Sequence, residues 1–202
     1  MRIVSLLLLL ALSPSAFSFG QTGHRITGAI AELNIKQTTR SEIDKILGNQ
    51  SLAEASTYVD EMRSNPSKFW QKTANPYHYM TIPNGKSYKQ MGAPTQGDAI
   101  TALNHFTMLV KDKKASIKDR RIALYFIIHI IGDLHQPLHV GRGDDRGGND
   151  IKIKFFRKSS NLHRIWDSEM IDSKKLSFTE WADWLNRQIT TNNKRHGTQQ
   201  IL

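Results

Sequence analysis

The chain has 202 residues, a formal net charge of +10 and no cysteine. This length suits one domain with a substantial core, and the missing cysteines exclude both a disulfide framework and a thiolate metal site. The excess of positive charge favours polyanionic partners such as nucleic acid, anionic lipid or acidic glycan, although a generically basic exported protein would show the same balance.

The N-terminus predicts an export signal at residues 1–18. A positive charge precedes an apolar run over 3–12, which is too short to cross a bilayer. A small-x-small cleavage pattern ends at Ser18, so that processing would leave Phe19 as the mature N-terminus. No later segment is apolar enough for a membrane helix. We therefore divide the chain into a signal peptide, 1–18, and one domain, 19–202.

The spacing of apolar residues predicts that this domain is mainly α-helical. The predicted helices in the first half of the chain cover 22–35, 41–48, 51–62 and 95–110. The strongest prediction is a helix over 118–134, which is apolar on nearly every side and is therefore expected to be buried on most of them. Pro137 should end or kink this helix.

The remainder of the chain predicts a loop, a short strand and two further helices. The loop is glycine-rich and covers 141–150, and alternating apolar and polar residues then indicate a strand or small hairpin near 151–156 without an obvious partner. A helix is expected over 161–170, and Ser177 to Glu180 form a capping box that opens the last helix. The polar tail from Thr190 is expected to fray.

Eight histidine and aspartate residues recur with the spacing of metal ligands. They are His24, Asp60, His78, His129, Asp133, His139, His163 and Asp167. The pairs His129/Asp133 and His163/Asp167 stand four residues apart, which places both side chains on one face of a helix. Because imidazole and carboxylate bind zinc, and because eight ligands exceed the needs of one tetrahedral ion, the pattern predicts a multi-zinc hydrolase. Any one of these histidines, taken alone, is more often a satisfied structural residue, and the pair His129/Asp133 on an apolar helix is what favours metal binding.

The string HIIGDLHQPLH at 129–139 resembles the signature of the S1/P1 type of zinc nucleases. Further segments match this family in the same order, namely FGQTGH at 19–24, ASTYVDEMR at 55–63, YHY at 77–79, GGN at 147–149 and NLHRIWD at 161–167. The resemblance implies a mainly α-helical fold of the phospholipase C/P1 nuclease type with three zinc ions in a cleft. Two features depart from it, since members usually begin with tryptophan where this chain has Phe19 and usually continue beyond residue 202.

The resemblance also implies a role for individual residues. Asp60, His78, His129 and Asp133 would hold the first zinc, Phe19 (through its α-amine and carbonyl), His24 and Asp133 the second, and His139, His163 and Asp167 the third. Asp60 and Asp133 would thus belong to the catalytic centre together with Arg63, which would contact the phosphate. Tyr79 would stack on a base, unless it only packs in the core, and Asn149 would also bind substrate.

The function implied by the resemblance is hydrolysis of single-stranded DNA and RNA to 5′-phosphate products, with 3′-nucleotidase activity. Because the α-amine of Phe19 exists only after signal cleavage, we expect an inactive precursor and a secreted or periplasmic enzyme. No stable protein partner and no membrane span after cleavage are implied.

Two other functions fit parts of the pattern. A zinc-dependent phospholipase C would share the fold and many ligands by resemblance, but that group tends to use glutamate where this chain has Asp167. An inactive cationic nucleic-acid-binding protein is the alternative outside the enzymes, and the complete ligand set argues against it.

Overall fold

The computed structural model describes residues 19–190, and these are mainly helical, as the sequence predicts. The α-helices in chain order are Gln21–Asn34 (α1), Gln37–Leu47 (α2), Leu52–Ala55 (α3), Tyr58–Glu61 (α4), Tyr88–Met91 (α5), Ala99–Lys111 (α6), Ile117–Leu134 (α7), Leu162–Arg164 (α8), Met170–Asp172 (α9) and Phe178–Asn186 (α10). The predicted signal peptide, 1–18, and the end of the tail, 191–202, lie outside the described residues. No helix within 19–190 has the length and hydropathy needed to cross a bilayer.

Short 3-10 and π-helical turns link these helices and carry three of the eight predicted ligands. The 3-10 turns are Met62–Ser64, Asn75–His78 and Pro137–Val140, and the π-helical turns are Phe69–Thr73 and Ile165–Glu169. Pro76 and Pro137 stand at the start of their 3-10 turns, where the missing proline N–H costs no hydrogen bond.

Helix α7 forms the centre of the core. Ser116 caps its first turn by accepting a hydrogen bond from the Asp119 N–H at 3.1 Å. Phe126 is fully buried and stacks on Phe106 of α6, with ring centroids 4.1 Å apart. Ile131, however, is 45 % exposed, so this helix is buried on most sides rather than all. Its buried face brings the two predicted ligands of α7 into the interior.

Helix α1 lies between α3, α7 and α10. Gly28 permits the close approach of α3, because a Cβ at this position would fall 2.5 Å from the Leu52 carbonyl oxygen. At the opposite end, Asn34 donates a hydrogen bond of 2.7 Å to Asn186 of α10. These contacts hold α1, and with it the predicted ligand His24, against the core.

The predicted helix over 51–62 is broken between α3 and α4. The hydroxyls of Ser56 and Thr57 donate to the backbone carbonyls of Ala53 and Glu54, at 2.7 Å and 3.2 Å. Hydroxyl groups that bond to nearby backbone in this way compete with helix continuation. The break is useful, since it leaves the Ser56 carbonyl to accept a hydrogen bond from a ligand histidine.

Two other helix starts differ from the sequence prediction. Helix α2 begins at Gln37, and Ser41 lies inside it, donating to the Gln37 carbonyl instead of capping the helix. Helix α6 is capped by Asp98 rather than Thr95, in a capping box with Thr101. The N-cap of α2 is thus Lys36, without a side-chain cap, whereas the N-cap of α6 is the polar residue that forms a capping box.

The predicted strand near 151–156 is β1, Lys152–Phe155, and it pairs in antiparallel register with β2, Lys158–Asn161. The turn residues Phe156 and Arg157 both have positive φ, 46° and 66°, as a tight two-residue hairpin turn requires. The sequence did not reveal β2 because lysine and serine give it no apolar alternation. Asn161 then caps α8 through its side chain, so the helical segment starts where predicted.

Candidate metal centre

Asp133 is the centre of a buried cluster that contains five of the predicted ligands. Its Oδ1 lies 3.2 Å from His24 Nε2, and its Oδ2 lies 3.0 Å from His78 Nδ1 and 3.3 Å from His129 Nε2. Asp60 completes the cluster, with Oδ1 3.7 Å from His129 Nε2 and Oδ2 4.0 Å from His24 Nε2. Helices α1, α4 and α7 and one 3-10 turn thus converge on one carboxylate.

A second cluster lies next to it around Asp167. Oδ2 of Asp167 is 3.0 Å from His163 Nε2, and Oδ1 is 3.6 Å from His139 Nε2. The two clusters adjoin, because His139 Nδ1 lies 3.8 Å from Asp133 Oδ1. All eight residues singled out by their spacing therefore meet in one region.

Three groups of these residues have ligand atoms within 4.8 Å of one another. The groups are His24, His129 and Asp133; Asp60, His78 and His129; and His139, His163 and Asp167. The last group equals the third set implied by the resemblance. The first two share His129, and together they contain the side chains of the other two implied sets.

Backbone carbonyls orient three of the histidines. Each donates Nδ1–H over 2.7 Å to a carbonyl oxygen: His129 to Ser56, His139 to His78 and His163 to Gly147. A carbonyl oxygen can only accept, so the proton resides on Nδ1 and the Nε2 lone pair is directed into the clusters. This is the arrangement of neutral imidazole ligands to a metal.

Several buried polar atoms at the site lack a hydrogen bond that would satisfy them. Within the described chain, Asp133 Oδ1, His139 Nε2 and Asp167 Oδ2 are buried and make no hydrogen bond of acceptable geometry. Leaving such atoms unsatisfied costs free energy. Cations between the imidazole and carboxylate groups would satisfy them, so the residues fit divalent metal ions with nitrogen and oxygen ligands.

The electrostatics of the first cluster favour ionised carboxylates beside neutral His24 and His78. Burial lowers the pKa of His24, and burial lowers the pKa of His78 to about 4. Burial opposes ionisation of Asp133 and Asp60, but the neighbouring groups together, His129 foremost, outweigh it and both pKa values lie below the usual range. Burial likewise opposes protonation of His129, yet Asp133 raises its pKa.

Gln136 is a residue of the site that the sequence analysis missed. It is fully buried, its Nε2 donates to Asp167 Oδ1, and its Oε1 accepts from the Leu138 N–H. Gln136 therefore holds Asp167 in place between the two histidines of its cluster. Its neighbour His135 is exposed and donates to the Ile131 carbonyl at 2.7 Å. Glutamine is not a typical zinc ligand, so its residue type does not indicate a metal site. The only feature of the sequence that could have identified Gln136 is its position just before Pro137.

Phe19 and Arg63 lie at the edge of the first cluster. The Phe19 ring packs edge-on to His24, with centroids 6.1 Å apart, and lies over Gly23, where a Cβ would fall 2.4 Å from the ring. The next residue, Gly20, donates its N–H to the Asp167 carbonyl at 2.8 Å. Arg63 Nε lies 3.0 Å from Asp60 Oδ1, and the side chain is 27 % exposed.

The two remaining predicted site residues lie on loops beside the clusters. Tyr79 follows His78 and is 46 % exposed, so the core-packing alternative for Tyr79 is wrong. Asn149 donates to the Arg146 carbonyl at 3.0 Å, inside the glycine-rich loop that also supplies the carbonyl acceptor for His163 Nδ1. Both positions are accessible from outside the buried ligand set.

A mainly helical domain with adjoining buried clusters of histidine and aspartate has the residues of a class of protein that could hold several metal ions. A sequence model described as S1/P1 Nuclease matches residues 19–201. The chain therefore belongs to the S1/P1 nuclease family, whose members are hydrolases that act on nucleic acid.

Individual relatives have related names. Endonuclease 2 of Arabidopsis thaliana is 29% identical over 96% of this chain and 76% of its own length. Endonuclease 3 of Arabidopsis thaliana is 32% identical over 86% of this chain and 61% of its own length. Nuclease S1 of Aspergillus oryzae is 29% identical over 90% of this chain and 66% of its own length. The chain thus spans about two thirds of the length of these curated relatives.

Proposed function

We propose that this protein is an exported zinc-dependent phosphodiesterase. Its substrates are single-stranded DNA and RNA, which it hydrolyses to 5′-phosphate products, and it also acts as a 3′-nucleotidase. The observation that carries the proposal is the convergence of eight histidine and aspartate side chains in adjoining buried clusters, in a chain of the S1/P1 nuclease family.

Three zinc ions are the proposed cofactors. The ligands are Asp60, His78, His129 and Asp133 for the first ion, Phe19, His24 and Asp133 for the second, and His139, His163 and Asp167 for the third. When bound, zinc supplies positive charge that stabilises phosphoryl oxygens and makes a water molecule nucleophilic near neutral pH. The imidazoles held through Nδ1 by backbone carbonyls and the ionised carboxylate of Asp133 support this assignment.

The chain itself supplies orientation and charge. Asp133 is ionised and fully buried, so it can serve two ions at a fixed position. Asp60 holds Arg63 through Nε at the partly exposed edge of the cluster. A guanidinium placed there would bind phosphate oxygens with directional, charge-assisted hydrogen bonds.

Loop residues would bind the nucleoside part of the substrate. Tyr79 offers an exposed aromatic ring directly after His78, and base stacking on such a ring tolerates any sequence. Asn149 belongs to the loop that supports His163, where its side-chain amide would contact bound substrate. A nucleic-acid strand with one base stacked on Tyr79 would therefore present a phosphate to the metal centre.

Export is proposed to complete the site. The domain 19–202 would follow a signal peptide, 1–18, and act outside the cytoplasm as a secreted or periplasmic enzyme. The packing of Phe19 beside His24 supports a role for its α-amine, which has a pKa of about 7.7–8.0 in ordinary N-termini and exists only after cleavage. Full activity of an uncleaved precursor would contradict this step.

Parallel substrate assays test the proposal on protein that begins at Phe19. Single-stranded DNA, single-stranded RNA, a 3′-nucleotide and phosphatidylcholine vesicles are each incubated with the enzyme before chelation, after chelation and after zinc is returned. We expect zinc-dependent cleavage of the first three substrates only. Hydrolysis of the phospholipid alone would instead establish a phospholipase C, and zinc binding without any hydrolysis would contradict both enzymes.

A further inference from the structure

A pocket of about 360 Å³ opens beside Tyr79, a volume in the range of small-molecule sites. Most of its wall is apolar and includes Met80, Met91 and Pro94. The charged side chain in this wall is Asp98, the residue that caps α6. An apolar slot with a carboxylate on one wall suits a flat, aromatic ligand that carries hydrogen-bond donors on its edge.

The two oxygens of Asp98 have different surroundings. Oδ1 accepts hydrogen bonds from the Thr101 N–H at 2.9 Å and from the Tyr88 hydroxyl at 3.1 Å. Burial and the carboxylate raise the pKa of Tyr88 to about 12, so this hydroxyl remains a donor. Within residues 19–190, no side chain or backbone group donates to Oδ2. The structure thus fixes the carboxylate through one oxygen and leaves the other for a ligand.

Backbone hydrogen bonds hold Asp98 at a constant position relative to Tyr79. The Ala99 N–H donates to the Tyr79 carbonyl at 3.0 Å, and the Met80 N–H donates to the His139 carbonyl at 2.9 Å. The first bond ties the start of α6 to the loop of the exposed ring. The second ties that loop to the metal centre, so the ring, the carboxylate and the clusters form one framework.

We propose that Asp98 determines base specificity at this site, an inference that rests on the proposed nuclease function. An ionised carboxylate oxygen only accepts hydrogen bonds. Guanine offers N1–H and an amino group on one edge, and adenine and cytosine offer an amino group. Uracil and thymine instead place carbonyl oxygens on both sides of their N3–H, and these oxygens repel a carboxylate. A base stacked on Tyr79 is therefore selected in favour of guanine and against uracil and thymine.

The substitution Asp98→Asn tests this inference with little effect on the fold, because asparagine caps helices as well as aspartate does. Its Oδ1 can keep the bonds from Thr101 and Tyr88, while an NH₂ group replaces Oδ2 and donates instead of accepting. A matched control is Asp112→Asn, which makes the same charge change at the exposed opposite end of α6.

The measurement is calorimetric titration of the zinc-loaded protein with 5′-GMP and with 5′-UMP. We expect the wild type and the Asp112→Asn variant to bind GMP about tenfold more tightly than UMP, in line with the discrimination of one good base contact. In the Asp98→Asn variant the ratio of the two Kd values should fall to one or reverse. Thermal unfolding of each protein verifies that it is folded.

Hydrolysis is followed in parallel, so that the two proposals fail separately. If Asp98→Asn removes the preference for GMP but no single-stranded nucleic acid or 3′-nucleotide is hydrolysed, this inference is supported and the nuclease function is contradicted. Three results, each obtained with an enzyme that hydrolyses its substrates, would overturn the inference alone. They are equal binding of GMP and UMP by the wild type, a ratio of the two Kd values that Asp98→Asn leaves unchanged, and no binding of either nucleotide.

Discussion

The clusters around Asp133 and Asp167 use the same residue types but are built differently. The first takes two ligands from α7, an 18-residue helix in the middle of the core, and its central carboxylate is fully buried. The second takes its ligands from a 3-10 turn, a three-residue helix and a π-helical turn, and it relies on Gln136 and the Gly147 carbonyl for orientation. A long buried helix thus fixes the separation of its two ligands and leaves only the ring orientation of His129 to the Ser56 carbonyl, whereas in the short turns the carboxylate of Asp167 also depends on a hydrogen bond, from Gln136.

Removing the charge of each central carboxylate should give the largest effect and should separate the clusters. Asp133→Asn is expected to lose two of the three proposed zinc ions and to reduce cleavage of single-stranded DNA by about a thousandfold or more. Asp167→Asn should lose only one ion. Zinc content by mass spectrometry, measured beside activity, distinguishes them. Equal metal loss in the two variants would contradict a shared role for Asp133.

The pH dependence of the metal-free protein examines the first cluster alone. Because the pKa of His78 is about 4 in the folded chain and 6.5 normally, the unfolded chain binds the extra proton first as pH falls. Stability is therefore fully present above pH 6.5 and is lost between pH 6.5 and 4, by about 3 kcal/mol for this residue.

His78→Gln supplies the reference for this prediction, since glutamine does not titrate. The free energy of unfolding is measured in urea at several pH values for both proteins. The wild type should lose stability relative to the variant as pH falls through this range. Comparing the two proteins removes the opposite contribution of His129, whose pKa is raised. If the difference between their free energies of unfolding stays constant with pH, His78 does not carry the effect.

The dependence of the second cluster on a supporting hydrogen bond can be tested at Gln136. Gln136→Ala should weaken binding of the zinc proposed for the Asp167 cluster by about 10- to 100-fold, because the residue that orients Asp167 is lost. The matched control is His135→Ala at the exposed neighbouring position, where affinity should not change. Competition with a zinc chelator gives the affinities. An unchanged affinity in Gln136→Ala would mean that the turns hold Asp167 without help.

The smallest effect is expected outside both clusters, at Tyr79. Tyr79→Ala should raise KM for single-stranded DNA about tenfold through the loss of one stacked base, with zinc content unchanged. Tyr79→Phe keeps the ring and should behave like the wild type. Steady-state kinetics on a short oligonucleotide measure both variants. If the phenylalanine variant lost as much as the alanine variant, stacking would not be the contribution of this ring.

The sequence predicted the parts of the molecule that local spacing controls. Helix α7 and its pair His129/Asp133 followed from apolar residues and a four-residue separation, and the capping box at Ser177 correctly placed α10. The resemblance to the nuclease family anticipated which distant residues would meet. Their convergence in the structure agrees with that expectation, and their binding of zinc stays a prediction.

Other features depended on tertiary contacts that no local pattern reveals. The predicted helix over 51–62 runs through Ser56 and Thr57, but their hydroxyls bond to nearby backbone and the helix breaks there. The Ser56 carbonyl at the break then orients His129. Gln136 acquires its role only because the chain after Pro137 turns back toward Asp167. The sequence places Asp98 within the predicted helix over 95–110, and its position beside Tyr79 arises from a backbone hydrogen bond between distant segments.

The proposed binding of three zinc ions can be tested by crystallography at the zinc absorption edge, on zinc-loaded protein that begins at Phe19. We expect three anomalous peaks, two sharing Asp133 and one among His139, His163 and Asp167. Fewer than three peaks at full zinc saturation, or peaks away from these side chains, would contradict the proposal.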